Sequence, residues 1–161
     1  MLVNLKEILT PAYAGHSAVG SFNCYSYETF RGCIAAGEET GKPVITAFGA
    51  AYLANMSLET AHAIVASLAR EVRVPVCLHL DHCSDLNVIY RAIKAGFGSV
   101  MYDGSMLPFA ENVANTHAVC HVAHACGVSV EAELGSLVAS GGLCEGGSQE
   151  VYRDVWIGGR P

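Results

Sequence analysis

The 161-residue sequence has no C-x-x-C pair, no block of like charge and no uninterrupted apolar run of roughly 18 residues. Each absence excludes something. Seven cysteines, at 24, 33, 77, 83, 120, 126 and 144, are an odd number without paired spacing. They do not make a complete disulfide framework, and several lie in apolar periodic runs where cysteine behaves as a small hydrophobe. Nine basic against 15 acidic residues give a net charge of −6, scattered along the chain, so the basic patch of a nucleic-acid binder is missing. Without a long apolar run there is no spanning helix. The segment from Met1 to Leu9, which carries Lys6 and Glu7, has no apolar core of signal-peptide length. A cytoplasmic protein with small-molecule ligands, and with neither nucleic acid nor membrane as a partner, is the expectation. What the sequence does have is apolar residues: at 52% hydrophobic, this length supports one well-buried domain.

The apolar residues follow a repeating grammar. A short helix around Leu5 to Leu9 precedes a strand over Ser17 to Tyr25, a helix over Glu28 to Thr40 closed by Gly41-Lys42-Pro43, and a strand over Val44 to Phe48. A loop over Gly49 to Met56 leads to Ser57, which caps a helix reaching about Val72, and Pro75 turns the chain into a third strand. Ser84 is the expected cap of a third helix ended by Gly96. Ser99 to Tyr102 is a fourth strand, Pro108 to Cys126 a fourth helix, and Val128 to Leu134 a fifth strand. Strand and helix alternating in this way predict βα units on a parallel sheet, either open and doubly wound or part of a barrel. After Gly135 the pattern dissolves into Gly141-Gly142 and Gly146-Gly147, and the chain is shorter than the about 250 residues typical of a (β/α)8 barrel.

The third strand carries the chemistry. Val76-Cys77-Leu78-His79-Leu80-Asp81-His82-Cys83 is an apolar run that ends in a carboxylate next to an imidazole. A barrel places its active site at the C-terminal ends of its strands, and neutral imidazole is the commonest metal ligand. A strand-end Asp-His pair that only caps the next helix is the plainer alternative. His79 shares strand parity with Asp81 and so faces the same side; an interior, hydrogen-bonded histidine is its simplest reading. His117, His121 and His124 recur at i, i+4 and i+7 on the fourth helix, a spacing that gathers side chains on one face, where ordinary face and core residues are the expectation.

His79-Leu80-Asp81-His82 resembles the H-x-D-H signature of the class II, zinc-dependent fructose-bisphosphate and tagatose-bisphosphate aldolases. Three other stretches agree in order: Ser21-Phe22-Asn23 with a first-strand "FN" element, Gly96 to Ser105 with a "GF-x-SVM-x-D-x-S" fourth strand, and Val130 to Gly135 with a "VE-x-ELG" fifth strand. The resemblance covers residues 1 to about 152, and the segment from Arg153 to Pro161 departs from it. It implies an α/β chain of the (β/α)8 barrel family, truncated to about five strands and four helices, with 1–152 the N-terminal part of a barrel and 153–161 a divergent tail.

The resemblance also implies roles for single residues. Asp81 maps onto the acid/base that handles the hydroxyl proton at the carbon–carbon bond being cleaved, and His82 onto the first ligand of Zn²⁺, the expected cofactor. Asp103 and Glu133 match positions used for a second or buried metal position, either as ligands or as groups that orient them. Asn23 matches a substrate-binding asparagine, with a turn-forming role as the alternative. Glu145 resembles the loop carboxylate that exchanges a proton on dihydroxyacetone phosphate, although extra residues separate Gly135 from the Gly pair. Gly49 stands where fructose-type members often have a phosphate-contacting serine, which leans toward the tagatose type. The implied substrate is a small phosphorylated sugar, cleaved to dihydroxyacetone phosphate and glyceraldehyde 3-phosphate. Two further zinc-binding histidine segments of the family have no counterpart here. The expectation is therefore a weakly active or inactive chain, as a homo-oligomer or with a complementing chain. The competing reading is a non-catalytic barrel fragment that acts only through association.

Overall fold

The structure, a computed structural model, describes residues 1–134. Glu145 and the 153–161 tail lie outside the described residues. The elements in chain order are α1 (Leu5–Ala14), β1 (Ser21–Asn23), α2 (Tyr27–Thr40), β2 (Val44–Gly49), a short 3-10 helix (Ala50–Ala54), α3 (Leu58–Leu68), β3 (Val76–Cys83), α4 (Leu86–Ala95), β4 (Ser99–Tyr102), α5 (Phe109–Ala125) and β5 (Ser129–Ala132). All strand pairs are parallel and their order is β1-β2-β3-β4-β5.

That order chooses between the two architectures. A doubly wound sheet reverses its strand order and carries helices on both faces, whereas a barrel adds each strand beside the last and keeps its helices outside. Here the core proper lies on one face: Val44, Phe48, Val76, Leu78, Leu80, Val100, Tyr102 and Val130 meet Phe30 and Ile34 of α2, Leu58 and Val65 of α3, Ile89 of α4 and Val119 of α5. The alternate residues face the other way. Ile45 and Cys77, near the starts of β2 and β3, meet Leu5 and Ile8 of α1 there. The sheet is that of the (β/α)8 barrel family, with five of its strands among the described residues, and α1 plugs the end opposite the strand exits.

Capping follows the local sequence. Asn4 and Glu7 form a reciprocal capping box on α1. Ser26 caps α2 and Ser57 caps α3. At α4 the expected Ser84 is replaced by Asp85, which accepts from the Asn87 N–H at 2.8 Å; both residue types satisfy an orphan helix donor, and the strand, by extending to Cys83, takes up the register Ser84 would need. β1 and β5 are shorter than expected because each pairs on one side only among the described residues. With no second neighbour to hold it, β1 is exposed along its length.

β3 contains the irregularity that shapes the rest. Register with β4 shifts between Leu80 and Cys83, and His82 adopts a left-handed φ of 45°. Leu80 and Cys83 both sit in the helix-side core although three positions separate them. Strict alternation would put them on opposite faces, so one extra residue has been accommodated, and Asp81 and His82 leave the strand on the same, inner side.

Gly96 turns the chain from α4 into β4 at φ 101°, and a Cβ there would stand 2.7 Å from His62 Nε2. Gly41 ends α2 at φ 65° with nothing within 4 Å of a Cβ. We expect Gly41→Ala to cost about 1 kcal/mol in urea unfolding, the left-handed penalty alone, and Gly96→Ala to cost clearly more because His62 must also move; equal losses would contradict the packing described.

Candidate active site

The exits of the strands bring the polar groups together. Gly49 at the end of β2 pairs in register with Asp81, Asp103 follows β4, and Glu133 follows β5. Asn23 ends β1 and pairs with Ala47, placing it on the same inner face, at the exposed edge. Glu131 lies within β5 and Glu133 just beyond its end, and they serve different partners.

Around His82 three donors converge. Its Nδ1 lies 3.1 Å from Asp103 Oδ2 and 3.7 Å from Glu133 Oε2. One ligand atom from each of the three residues lies within 4.8 Å of the others, the one such set among the described residues. Asp103 is aimed by Ser105, whose backbone N–H and hydroxyl both donate to Oδ1, at 3.1 and 2.6 Å, leaving Oδ2 for His82. The Glu133 carbonyl accepts from Asn112 Nδ2 at 2.8 Å, and Asn112 is buried against Gly104, where any Cβ would collide with its amide. A glycine after Asp103 is what lets α5 approach.

The charges are matched. Burial works against a charged His82, but the hydrogen bond to Asp103 and the fields of Asp81, Glu133 and Asp103 outweigh it and raise the imidazole pKa above its ordinary value. Burial would likewise raise Asp103, yet the hydrogen bonds from Ser105 and His82 hold its carboxyl below the usual range. One layer deeper, His79 is buried, with Nδ1 2.9 Å from the Ser99 hydroxyl. Its Nε2 lies 3.3 Å from Glu131 Oε2 and 3.9 Å from Asp81 Oδ1. The imidazole holds the Glu131 carboxyl below its usual range against the opposing effect of burial.

The donor set suits a divalent cation. Donors around a tetrahedral ion with bonds of about 2.0 Å stand about 3.3 Å apart, close to the spacings at His82 Nδ1, and one imidazole with two carboxylates is a combination zinc accepts. Asp81 lies outside this set. His117, His121 and His124 are exposed on α5 and gather no second set. Ser99 and Ser105 belong to the fourth-strand motif without a role of their own there, and Asn112 lies outside the motifs. A polar Asn112 in an otherwise apolar helical stripe was the one available hint.

The chain is similar to known proteins over most of its length. Residues 3–154 match the family model described as fructose-bisphosphate aldolase class-II. The chain is 44% identical over 137 residues to a fructose-bisphosphate aldolase of Geobacillus stearothermophilus, covering 83% of this chain and 48% of that protein. It is 38% identical over 132 residues to a sulfofructosephosphate aldolase of Alkalicoccus urumqiensis, covering 82% and 46%. The crystal structure of the YdjI aldolase from Escherichia coli K12 superposes with a TM-score of 0.79 at 36% identity, covering 84% of this chain and 51% of that one. The chain thus spans about half the length of the curated relatives it matches.

Two outcomes follow from the geometry at His82. Metal binding needs the neutral imidazole, so affinity for zinc, used as the probe in calorimetry, falls as the pH drops through the raised His82 pKa, by up to about tenfold per unit below it, and is level above it; a flat profile would remove His82 from the ligand set. In metal-free urea unfolding, His82→Gly is more stable than His82→Ala by about 1 kcal/mol, because only glycine adopts the left-handed φ freely.

Proposed function

The chain belongs to the class-II fructose-bisphosphate aldolase family, and from that premise we propose that Asp81 and His82 are the acid/base and the first metal ligand of a reversible aldol cleavage of a phosphorylated ketose. The observation that carries this reading is the bulge in β3, which sets a carboxylate outside the metal-binding set directly beside an imidazole inside it.

Cleavage of a β-hydroxy ketone removes a proton from the hydroxyl at the breaking bond while charge builds on the ketone oxygen. Asp81, half-buried at the mouth, takes that proton and returns it in the reverse direction. His82, Asp103 and Glu133 would hold a divalent ion, and zinc bound there would supply a Lewis acid for the ketone oxygen. Ser105 keeps the Asp103 carboxylate aimed, and Asn112 holds the backbone carbonyl of Glu133. Asn23 contacts the substrate from the first strand, and Glu145 serves the donor carbon. The substrate is a ketose 1,6-bisphosphate, of the fructose or tagatose series, with Gly49 favouring tagatose. The relatives' names span more than one phosphorylated ketose, so the class is firmer than the sugar.

Alone, the 161-residue chain holds zinc weakly, since it contributes one imidazole where three protein ligands with more nitrogen are usual, and its turnover is low or absent. The outer edges of β1 and β5 have no strand partner among the described residues, and unpaired edges invite strand addition. A second copy or a complementing chain pairs there and completes the mouth.

A coupled aldolase assay with added zinc on the 161-residue chain tests the assignment. Residual turnover, or turnover restored by a complementing chain, drops about 10²- to 10⁴-fold in Asp81→Asn. Turnover indifferent to that substitution would rule Asp81 out.

A further inference from the structure

His79 takes no direct part in the reaction just described, yet it is 2% exposed and its Nε2 has no hydrogen-bond partner in proper line. Native structures leave few buried polar atoms in that state, and those that remain call for a reason. Its other nitrogen is firmly placed: Ser99 faces His79 across the β3–β4 register, and the two side chains meet at 2.9 Å, fully buried.

The surroundings select the tautomer. If Nδ1 carried the hydrogen and donated to Ser99, Nε2 would direct a bare lone pair at Glu131 Oε2, 3.3 Å away, and Asp81 Oδ1, 3.9 Å away. Two carboxylates repel a lone pair and attract an N–H. The Ser99 hydroxyl therefore donates to Nδ1, and Nε2 carries the hydrogen. That hydrogen faces a carboxylate on β5, near but out of line, and one on β3, which at 3.9 Å stands beyond hydrogen-bond reach. Hydrogen bonds at catalytic groups are often long before substrate enters and tighten with it.

Resting on the aldolase reading of Asp81, we infer that His79 is a positioning residue: anchored by Ser99, it presents one N–H to Glu131 and Asp81 together and holds Asp81 in the orientation from which it exchanges a proton with substrate. Glu131, on this view, is the counterweight that keeps the N–H from being drawn wholly to Asp81. The arrangement spans β3, β4 and β5, so the orientation of the acid/base is built into the sheet itself.

The test separates position from folding. In ¹⁵N NMR of the wild-type chain, His79 shows hydrogen on Nε2 and a bare Nδ1; hydrogen on Nδ1 overturns the inference. Two variants then part. A glutamine amide can place its N–H near the former Nε2, whereas an asparagine amide reaches only the former Nδ1. His79→Asn lowers kcat by about 10- to 100-fold with KM and bound zinc unchanged, and His79→Gln recovers most of that loss. Crystals of the two variants provide a readout that needs no turnover: Asp81 keeps its wild-type rotamer in His79→Gln and leaves it in His79→Asn. An Asp81 unmoved in both overturns the inference whether or not sugar is cleaved. Absence of turnover with the rotamer difference intact would count against the aldolase reading alone.

Discussion

One residue more than the pleat allows, between Leu80 and Cys83, decides which side chains reach the mouth of the sheet. A regular strand alternates, and any regular strand that buried Leu80 in the helix-side core would have faced Asp81 inward, His82 outward and Cys83 inward. With the bulge, Leu80 and Cys83 both stay in the core while the carboxylate and the imidazole emerge side by side. The cost is concentrated at His82, a non-glycine residue held at φ 45°, and strain of this kind persists where the surrounding packing over-determines it. Here the two flanking core residues do so.

Charge is the second organising constraint. Asp81, Asp103, Glu131 and Glu133 crowd one end of the sheet, and two imidazoles stand among them at different depths. The outer one, His82, gathers Asp103 and Glu133 into a set able to hold a cation. The inner one, His79, is tied to Ser99 and faces the other two, Asp81 and Glu131. The Ser105 hydroxyl fixes one of the carboxylates, Asp103, against their mutual repulsion, and the Asn112 amide ties down the backbone of another, Glu133.

Much of this was open to a reader of the sequence. The alternation of strands and helices, the cap at Ser57 and the glycine stops at Gly41 and Gly96 are local signals with local causes, and they stand in the structure. The choice of barrel over open sheet depended on strand order, which periodicity does not encode; the ordered motifs carried it. The convergence of Asp103 and Glu133 on His82 was implied by resemblance but not derivable from spacing, since 21 and 51 positions separate them from it along the chain. The bulge left no trace, because its left-handed residue is a histidine rather than a glycine. Ser99 stands in the fourth-strand motif, but only the β3–β4 register shows that it faces His79.

The bulge divides the labour of the mouth, committing His82 to a cation and leaving Asp81 free for the proton. Anomalous diffraction at the zinc edge, on crystals of the 161-residue chain soaked in zinc, tests that division directly. The expected result is a peak bounded by His82, Asp103 and Glu133, with the Asp81 carboxylate beside it and unligated. A peak ligated by Asp81, or one seated on the α5 histidines, would contradict it.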